Sequence, residues 1–235
     1  MPSFLSDLHP FLGTGEKNAR GQTLEEFLED YNPHKYETPG CTTDAVIISY
    51  KGELTRELKG IKVLLVKRSN HPSIGYWALP GGFVNIRENL ETAAGRELWE
   101  ETGVENLRME QIATYGDYDR DPRYRVITTA YMALVEEDAV KVQAGDDAAD
   151  AAWCNVNLER KTREAVEDAS QCVETWSLHL TNEEKGVDTT AVVEYRSIGI
   201  IIRQEKYTVK EQGVTAVDHA AILVQALRIL QDRLS

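Results

Sequence analysis

Cysteine is scarce in this 235-residue chain, and the three present, Cys41, Cys154 and Cys172, form no CxxC pair. An odd count without paired spacing argues against a disulfide framework or a zinc knuckle and predicts reduced thiols in a cytosolic protein. Long apolar runs are also missing. None approaches the ~20 residues that a membrane span needs, so no membrane partner is expected. The opening stretch, MPSFLSDLHPFLGTGEKNAR, has no basic segment followed by an apolar one, which argues against a signal peptide and for a cytoplasmic location. Positive charge is in deficit, with 26 Lys and Arg against 39 Asp and Glu, a net of −13. That opposes a broad duplex-binding surface, and nucleic acid is not an expected partner. The same negative field repels an anionic ligand. A site for one therefore needs metal ions or local arginines to offset it.

What remains is an ordinary soluble composition, 42% hydrophobic and 28% charged, on a chain long enough to bury a full core. Residues 1–40 read as an arm with one short helix. Thr23 is its N-cap, and Glu26, three residues later, completes a capping-box pattern over TLEEFLEDY. Residues 41–156 hold a core in which AVIISY (45–50) and IKVLLVK (61–67) are β-branched, apolar strands joined by a polar hairpin loop. Met109–Tyr115 and Val126–Val135 read as two more strands around the charged loop GDYDRDPRYR. Residues 157–213 read as an insertion of mixed structure, with a helix over Lys161–Glu174 and strands over Val192–Arg196 and Ile198–Ile202. Residues 214–235 read as a C-terminal helix on the core. Asp218 is its N-cap, and Leu223, Leu227, Leu230 and Leu234 lie at helical spacing.

Residues 82–104, GFVNIRENLETAAGRELWEETGV, carry the chemistry. Leu90 to Glu101 is predicted as a helix with Asn89 as N-cap, and Gly103 suits the left-handed position that ends it. Leu90, Ala94 and Leu98 form a core stripe. Glu97, Glu100 and Glu101, at i, i+3 and i+4, project from one neighbouring face. Carboxylates crowded on one turn repel, and a divalent cation with a preference for hard oxygen ligands, Mg²⁺ or Mn²⁺, removes the conflict. Arg96 reads as structural, pairing with a carboxylate such as Glu88. The run Leu79-Pro80-Gly81-Gly82 fits a tight turn, where glycine lets a backbone carbonyl such as that of Gly82 approach a metal.

In order, Gly82, five spacers, Glu88, seven spacers, Arg96-Glu97-Leu98, one spacer, Glu100-Glu101, one spacer and Gly103-Val104 match the Nudix box at every defining position. The chain thus resembles the Nudix hydrolases. The resemblance implies an α/β/α sandwich around a mixed sheet and Mg²⁺-dependent cleavage of a nucleoside diphosphate linked to another group. Glu97, Glu100 and Glu101 would be the catalytic, metal-holding residues, with Gly82 as a further ligand. LEEFLEDYNPHKYETPGCTTDAVII, KRSNHPSIGYWALPGGFV, GDYDRDPRYRVITTAYMALV, AGDDAADAAW and VDHAAILVQAL resemble one branch, which holds ADP-ribose pyrophosphatase-like enzymes and Nudix-related regulators of NAD metabolism. That likeness covers roughly residues 24–156 and 214–234, not 157–213. Such regulators carry a winged-helix domain after the Nudix domain. No basic recognition helix follows VDHAAILVQAL and the box is intact, so an enzyme is expected, acting on ADP-ribose to give AMP and ribose 5-phosphate. A house-cleaning nucleoside-triphosphate pyrophosphatase and an ADP-ribose-sensing regulator are the alternatives. A homodimer is the expected assembly.

Five residues are candidates for holding substrate. Arg120 and Arg123, in the loop DYDRDPR, suit bidentate phosphate binding, with a surface salt-bridge loop as the other reading. If these arginines hold the substrate's phosphates, alanine substitution should raise KM, and stability should change little because exposed ion pairs contribute little. Arg68, at a strand end, is a third cation. Tyr115 either stacks on a base or packs in the core. His219 either hydrogen-bonds ribose or phosphate or is structural. Asp146 and Asp147, in AGDDAAD, occupy the place where some family members carry a separate catalytic base.

Overall fold

The computed structural model describes residues 4–137, 139–140, 148–165 and 171–234, which form two compact units, Met1–Thr38 and Pro39–Ser235. In the first unit, α1 (Leu24–Asp30) opens with the capping box its sequence predicts. Thr23 Oγ1 accepts from the Glu26 amide at 3.3 Å, and the Glu26 carboxylate accepts from the Thr23 amide at 2.8 Å.

The second unit is one sheet with a helix on each face. Its strands are β1 (Gly40–Tyr50), β2 (Lys62–Arg68), β3 (Trp77–Ala78), β4 (Gly81–Phe83), β5 (Glu110–Tyr115), β6 (Val126–Glu136), β7 (Ala148–Ala165), β8 (Gln171–Asn182), β9 (Val187–Ile198) and β10 (Gln204–Glu211). The order is β10-β9-β8-β7-β2-β1-β6-β5. β1 runs parallel to β6 and antiparallel to its other neighbours, so the sheet is mixed as the resemblance implies. β1 is buried on both faces from Thr42 to Ser49, which suits the apolar run AVII at its centre. Its pleat divides the core. Ala45 and Ile47 pack with Leu98 on α2 (Leu90–Thr102), and Val46 and Ile48 pack with Leu223 and Leu227 on α3 (His219–Arg233). The helix α2 ends at Gly103, with φ 71°, in the left-handed position foreseen for it. Leu90, expected in its core stripe, is instead 37% exposed. Ala93 and Ala94 carry the buried face of that turn.

The stretch 157–213 departs from expectation. It forms no helix among the described residues. β7 runs through 156/157 without a break, and β8–β10 extend the sheet by antiparallel neighbours. Glu174, Trp176, Leu178 and Leu180 on β8, and Ala191, Val193 and Tyr195 on β9, are buried at alternate positions beneath α3. At 161–165 and 171–174, ladder pairing between β7 and β8 overrides the helix propensity read there; 166–170 lie outside the described residues. Of Ile198–Ile202, read as a strand, Ile198 ends β9 and the rest lies in the β9–β10 turn. Gly199 has φ 98°, and any Cβ there would lie 2.1 Å from the Ile202 carbonyl. Ile200, Ile201 and Ile202 are exposed.

β1 also splits the sheet, and this split places the site. Its first half pairs with β4, Thr43 opposite Gly82, whereas Ile48 and Ser49 pair with β2. The Leu79-Pro80 turn crosses the gap, pinned by a 2.8 Å bond from the Ala45 amide to the Pro80 carbonyl.

Candidate active site

A cleft of about 380 Å³ opens where β1 and β2 diverge. Asp44, Arg68, Gly81, Gly82, Glu101, Arg120, Arg123 and His219 line it. From α2, Glu101 lines it, and Glu97 and Glu100 stand on the same helical turn outside that lining. There Arg96 takes the structural part read from the sequence. Its guanidinium grips Glu88 through Nε and Nη2, each at 2.9 Å, and donates to the Phe83 carbonyl at 3.0 Å. Its Nη1 reaches Glu97 at 2.7 Å and Glu100 at 2.9 Å. These bonds hold the Glu88 carboxyl down at about 2.

Glu101 reaches into the turn and accepts from the Gly81 amide at 2.9 Å, and the Glu97 carboxylate lies against the adjoining Gly82. Burial pushes its carboxyl up to about 8. The Gly81 bond opposes that rise, and the charges of Glu97 and Asp44 add to it. Glu97 is also raised, by burial first, against the pull of Arg96.

Among the described residues no three His, Cys, Asp or Glu side chains stand ready-made around a cation position. The donor set nevertheless fits a hard divalent ion. Its side-chain members are all carboxylates on one helical turn, and the cation serving two of them is the Arg96 guanidinium. A Cβ at position 82 would lie 2.4 Å from Glu97 Oε2, so any side chain there would displace that carboxylate. Opposite it on β1, Thr43 Oγ1 is the one buried side-chain polar atom without a partner among the described residues.

The substrate candidates scatter. Arg68, Arg120, Arg123 and His219 reach the cleft. Tyr115 does not line it. Its hydroxyl donates to Gln225 at 2.7 Å, and it borders a second cleft with Tyr207 and Lys206. Arg68 Nε is spent on the Pro72 carbonyl at 2.6 Å. Arg123 pairs with Asp121 and lies 5.3 Å from the Phe83 ring centroid, with 47% of its side chain exposed. Arg120 corrects an expectation. Its side chain is only 7% exposed and forms a bidentate pair with Asp218, both bonds 2.8 Å, so it is not a surface ion pair. That pairing occupies the Asp218 carboxylate, which makes no cap bond to α3.

His219 Nδ1 accepts from the Leu79 amide at 2.8 Å. Asp44, overlooked in the sequence, is buried in the cleft wall and accepts from Thr128 at 2.6 Å. A lone acidic residue heading an apolar strand was the signal for it. Asp146 and Asp147 lie outside the described residues.

The NUDIX domain family model matches residues 44–174, more than half of the chain, and the chain belongs to that family. Among curated relatives, the ADPR-responsive transcriptional repressor NtrR of Acinetobacter baylyi is 39% identical over 122 residues, 51% of this chain and 46% of the repressor. An ADP-ribose pyrophosphatase of Methanocaldococcus jannaschii is 42% identical over 99 residues, 42% of this chain and 57% of that enzyme. The chain thus spans about half the length of these relatives.

Among solved structures, a MutT/nudix family protein from Enterococcus faecalis is similar at a TM-score of 0.63 and 30% identity, over 98% of this chain and 76% of that one. At that coverage the likeness takes in most of the β8–β10 extension. The NUDIX domain of Shewanella oneidensis NrtR, complexed with ADP ribose, matches at a TM-score of 0.50 and 36% identity, over 56% of this chain and 82% of that one.

Proposed function

We propose that the protein hydrolyses the diphosphate bridge of a nucleoside-diphosphate compound, with ADP-ribose as the preferred substrate and AMP and ribose 5-phosphate as products. The observation that carries this reading is the convergence, in one cleft, of the Glu101 face of α2, the Gly81–Gly82 turn and the cations Arg68 and Arg123. Glu97, Glu100, Glu101 and the Gly82 carbonyl would hold Mg²⁺, or Mn²⁺ in its place. When bound, the ion supplies phosphoryl polarisation, activation of water and neutralisation of the leaving phosphate. Arg68 and Arg123 offset the −13 net charge where the diphosphate must sit and orient its oxygens. Water adds across the P–O–P link, its hydroxyl to one phosphorus and its proton to the departing phosphate.

The choice of ADP-ribose rests on the pyrophosphatase relative and on the NrtR domain complexed with that ligand. A panel of ADP-ribose, NADH, FAD, diadenosine polyphosphates, NDP-sugars and oxidised dNTPs tests it. ADP-ribose is expected to give the highest kcat/KM. A nucleoside triphosphate about tenfold better, roughly 1.4 kcal/mol in the transition state, would transfer the protein to triphosphate house-cleaning. Tight binding of ADP-ribose without turnover would place it with the repressor relative instead.

A further inference from the structure

We propose that His219 is a positioning residue for the metal platform: by holding the Leu79 amide it fixes the turn that carries Gly81 and Gly82 to Glu101. This rests on the diphosphatase reading above and gives the start of α3 a part in it.

The geometry is a short mechanical chain. Because Nδ1 accepts the Leu79 N–H at 2.8 Å, the ring of neutral His219 carries its proton on Nε2. Nε2 faces Asp44 Oδ1 at 3.8 Å, too far for a hydrogen bond, so the bond to Leu79 is the direct one. Both His219 and Leu79 are buried, at 8% and 2% exposure. Two residues on from Leu79, the Gly81 amide binds the Glu101 carboxylate.

Neither end of this chain has slack. Upstream of His219, the Trp77 amide donates to the Val214 carbonyl at 2.9 Å, and the Ala216 amide to the Trp77 carbonyl at 2.8 Å. Val217, β-branched, is then held at φ 44°, a conformation that persists only where its surroundings impose it. At the other end, a Cβ on Gly81 would stand 2.1 Å from the Thr43 carbonyl, so the turn lies hard against β1. The path runs from α3 through an imidazole to a backbone turn and only then to a metal-site carboxylate. A side chain that touched substrate would act without these intermediates.

The test compares His219→Asn, His219→Gln and His219→Leu. The Asn side-chain oxygen falls near the place of Nδ1, the Gln oxygen near that of Nε2, and Leu offers no acceptor. Mn²⁺ affinity is titrated directly without substrate, and kcat, KM for ADP-ribose and thermal stability are measured on each variant. His219→Gln and His219→Leu are expected to weaken Mn²⁺ binding and lower kcat about 10- to 100-fold, with KM within about threefold of wild type. His219→Asn should restore most of both.

A rise in KM at constant kcat would make His219 a substrate contact and overturn the proposal. So would a folded His219→Gln variant with wild-type Mn²⁺ affinity and kcat. If His219→Leu fails to fold, the Asn and Gln pair still decides, because both carry the same amide and the extra methylene of Gln moves the acceptor away from the place of Nδ1. Should the wild-type protein hydrolyse nothing in the panel, the functional reading falls, while the Mn²⁺ titrations still report on the positioning.

Discussion

Replacing Glu101 by Gln is expected to lower kcat for ADP-ribose about a hundredfold or more, in line with losing one electrostatic stabiliser of a transition state. The substitution isolates charge from shape. Gln keeps an oxygen to accept the Gly81 amide, so the 2.9 Å bond and the turn survive. What disappears is the negative charge that a divalent ion would meet.

Folding should not suffer. Burial raises the Glu101 carboxyl to about 8, and its neighbours Glu97 and Asp44 add to the rise. A carboxyl whose folded value lies above its unfolded value favours the fold most when protonated. That contribution is lost as pH rises from about 4.5 toward 8, and above this range the buried charge opposes folding. In the absence of metal at neutral pH, Glu101→Gln should therefore melt at or above the wild-type temperature. Loss of activity with retained melting is the expected pair of results. Full activity would remove Glu101 from the platform.

Arg120→Ala should unfold the protein at a markedly lower temperature. The guanidinium is almost wholly buried. Burial works against its charge, and the Asp218 carboxylate outweighs that effect. Removing Arg120 leaves the Asp218 carboxylate without its bidentate partner. Breaking a fully buried pair typically costs about 3–5 kcal/mol. Asp218 keeps 21% of its side chain exposed, so about 2–4 kcal/mol is expected here. For a chain of this size that is a fall in Tm of roughly 5–15 °C.

The double variant Arg120→Ala/Asp218→Ala should lose less than the two single variants added together, because the stranded charge goes with its partner. Additive losses, or an unchanged Tm in Arg120→Ala, would contradict this reading. An effect on KM alone would return Arg120 to the role of a phosphate ligand.

The difference between the two arginines shows where sequence reasoning stops. The spacing of Glu97, Glu100 and Glu101, the pairing of Arg96 with Glu88 and the left-handed Gly103 are all local relations within one loop and one helix, and each was legible. Asp218, the partner of Arg120, lies 98 residues further along the chain, and the partner of His219 lies 140 residues back. No periodicity carries such information. Only the packing of α3 across the sheet creates it.

The same holds for 157–213. QCVETWSLHLTN does alternate, but the preceding KTREAVEDAS, 161–170, mixes Lys, Arg, Glu and Ala in a pattern that also suits a helix. For 161–165 and 171–182, the described residues, strand pairing along β7, β8 and β9 decides it. Asp44 escaped attention because its strand reads as apolar core, and its closeness to Glu101 depends on the split between β1 and β2.

The central claim is that the acidic turn of α2 works through a divalent ion on a diphosphate. The measurement that tests it most directly is release of AMP from ADP-ribose by the wild-type protein in Mg²⁺, in excess EDTA, and in EDTA followed by excess Mn²⁺. Turnover is expected in Mg²⁺, none above background in EDTA, and recovery with Mn²⁺. An undiminished rate in EDTA would contradict it.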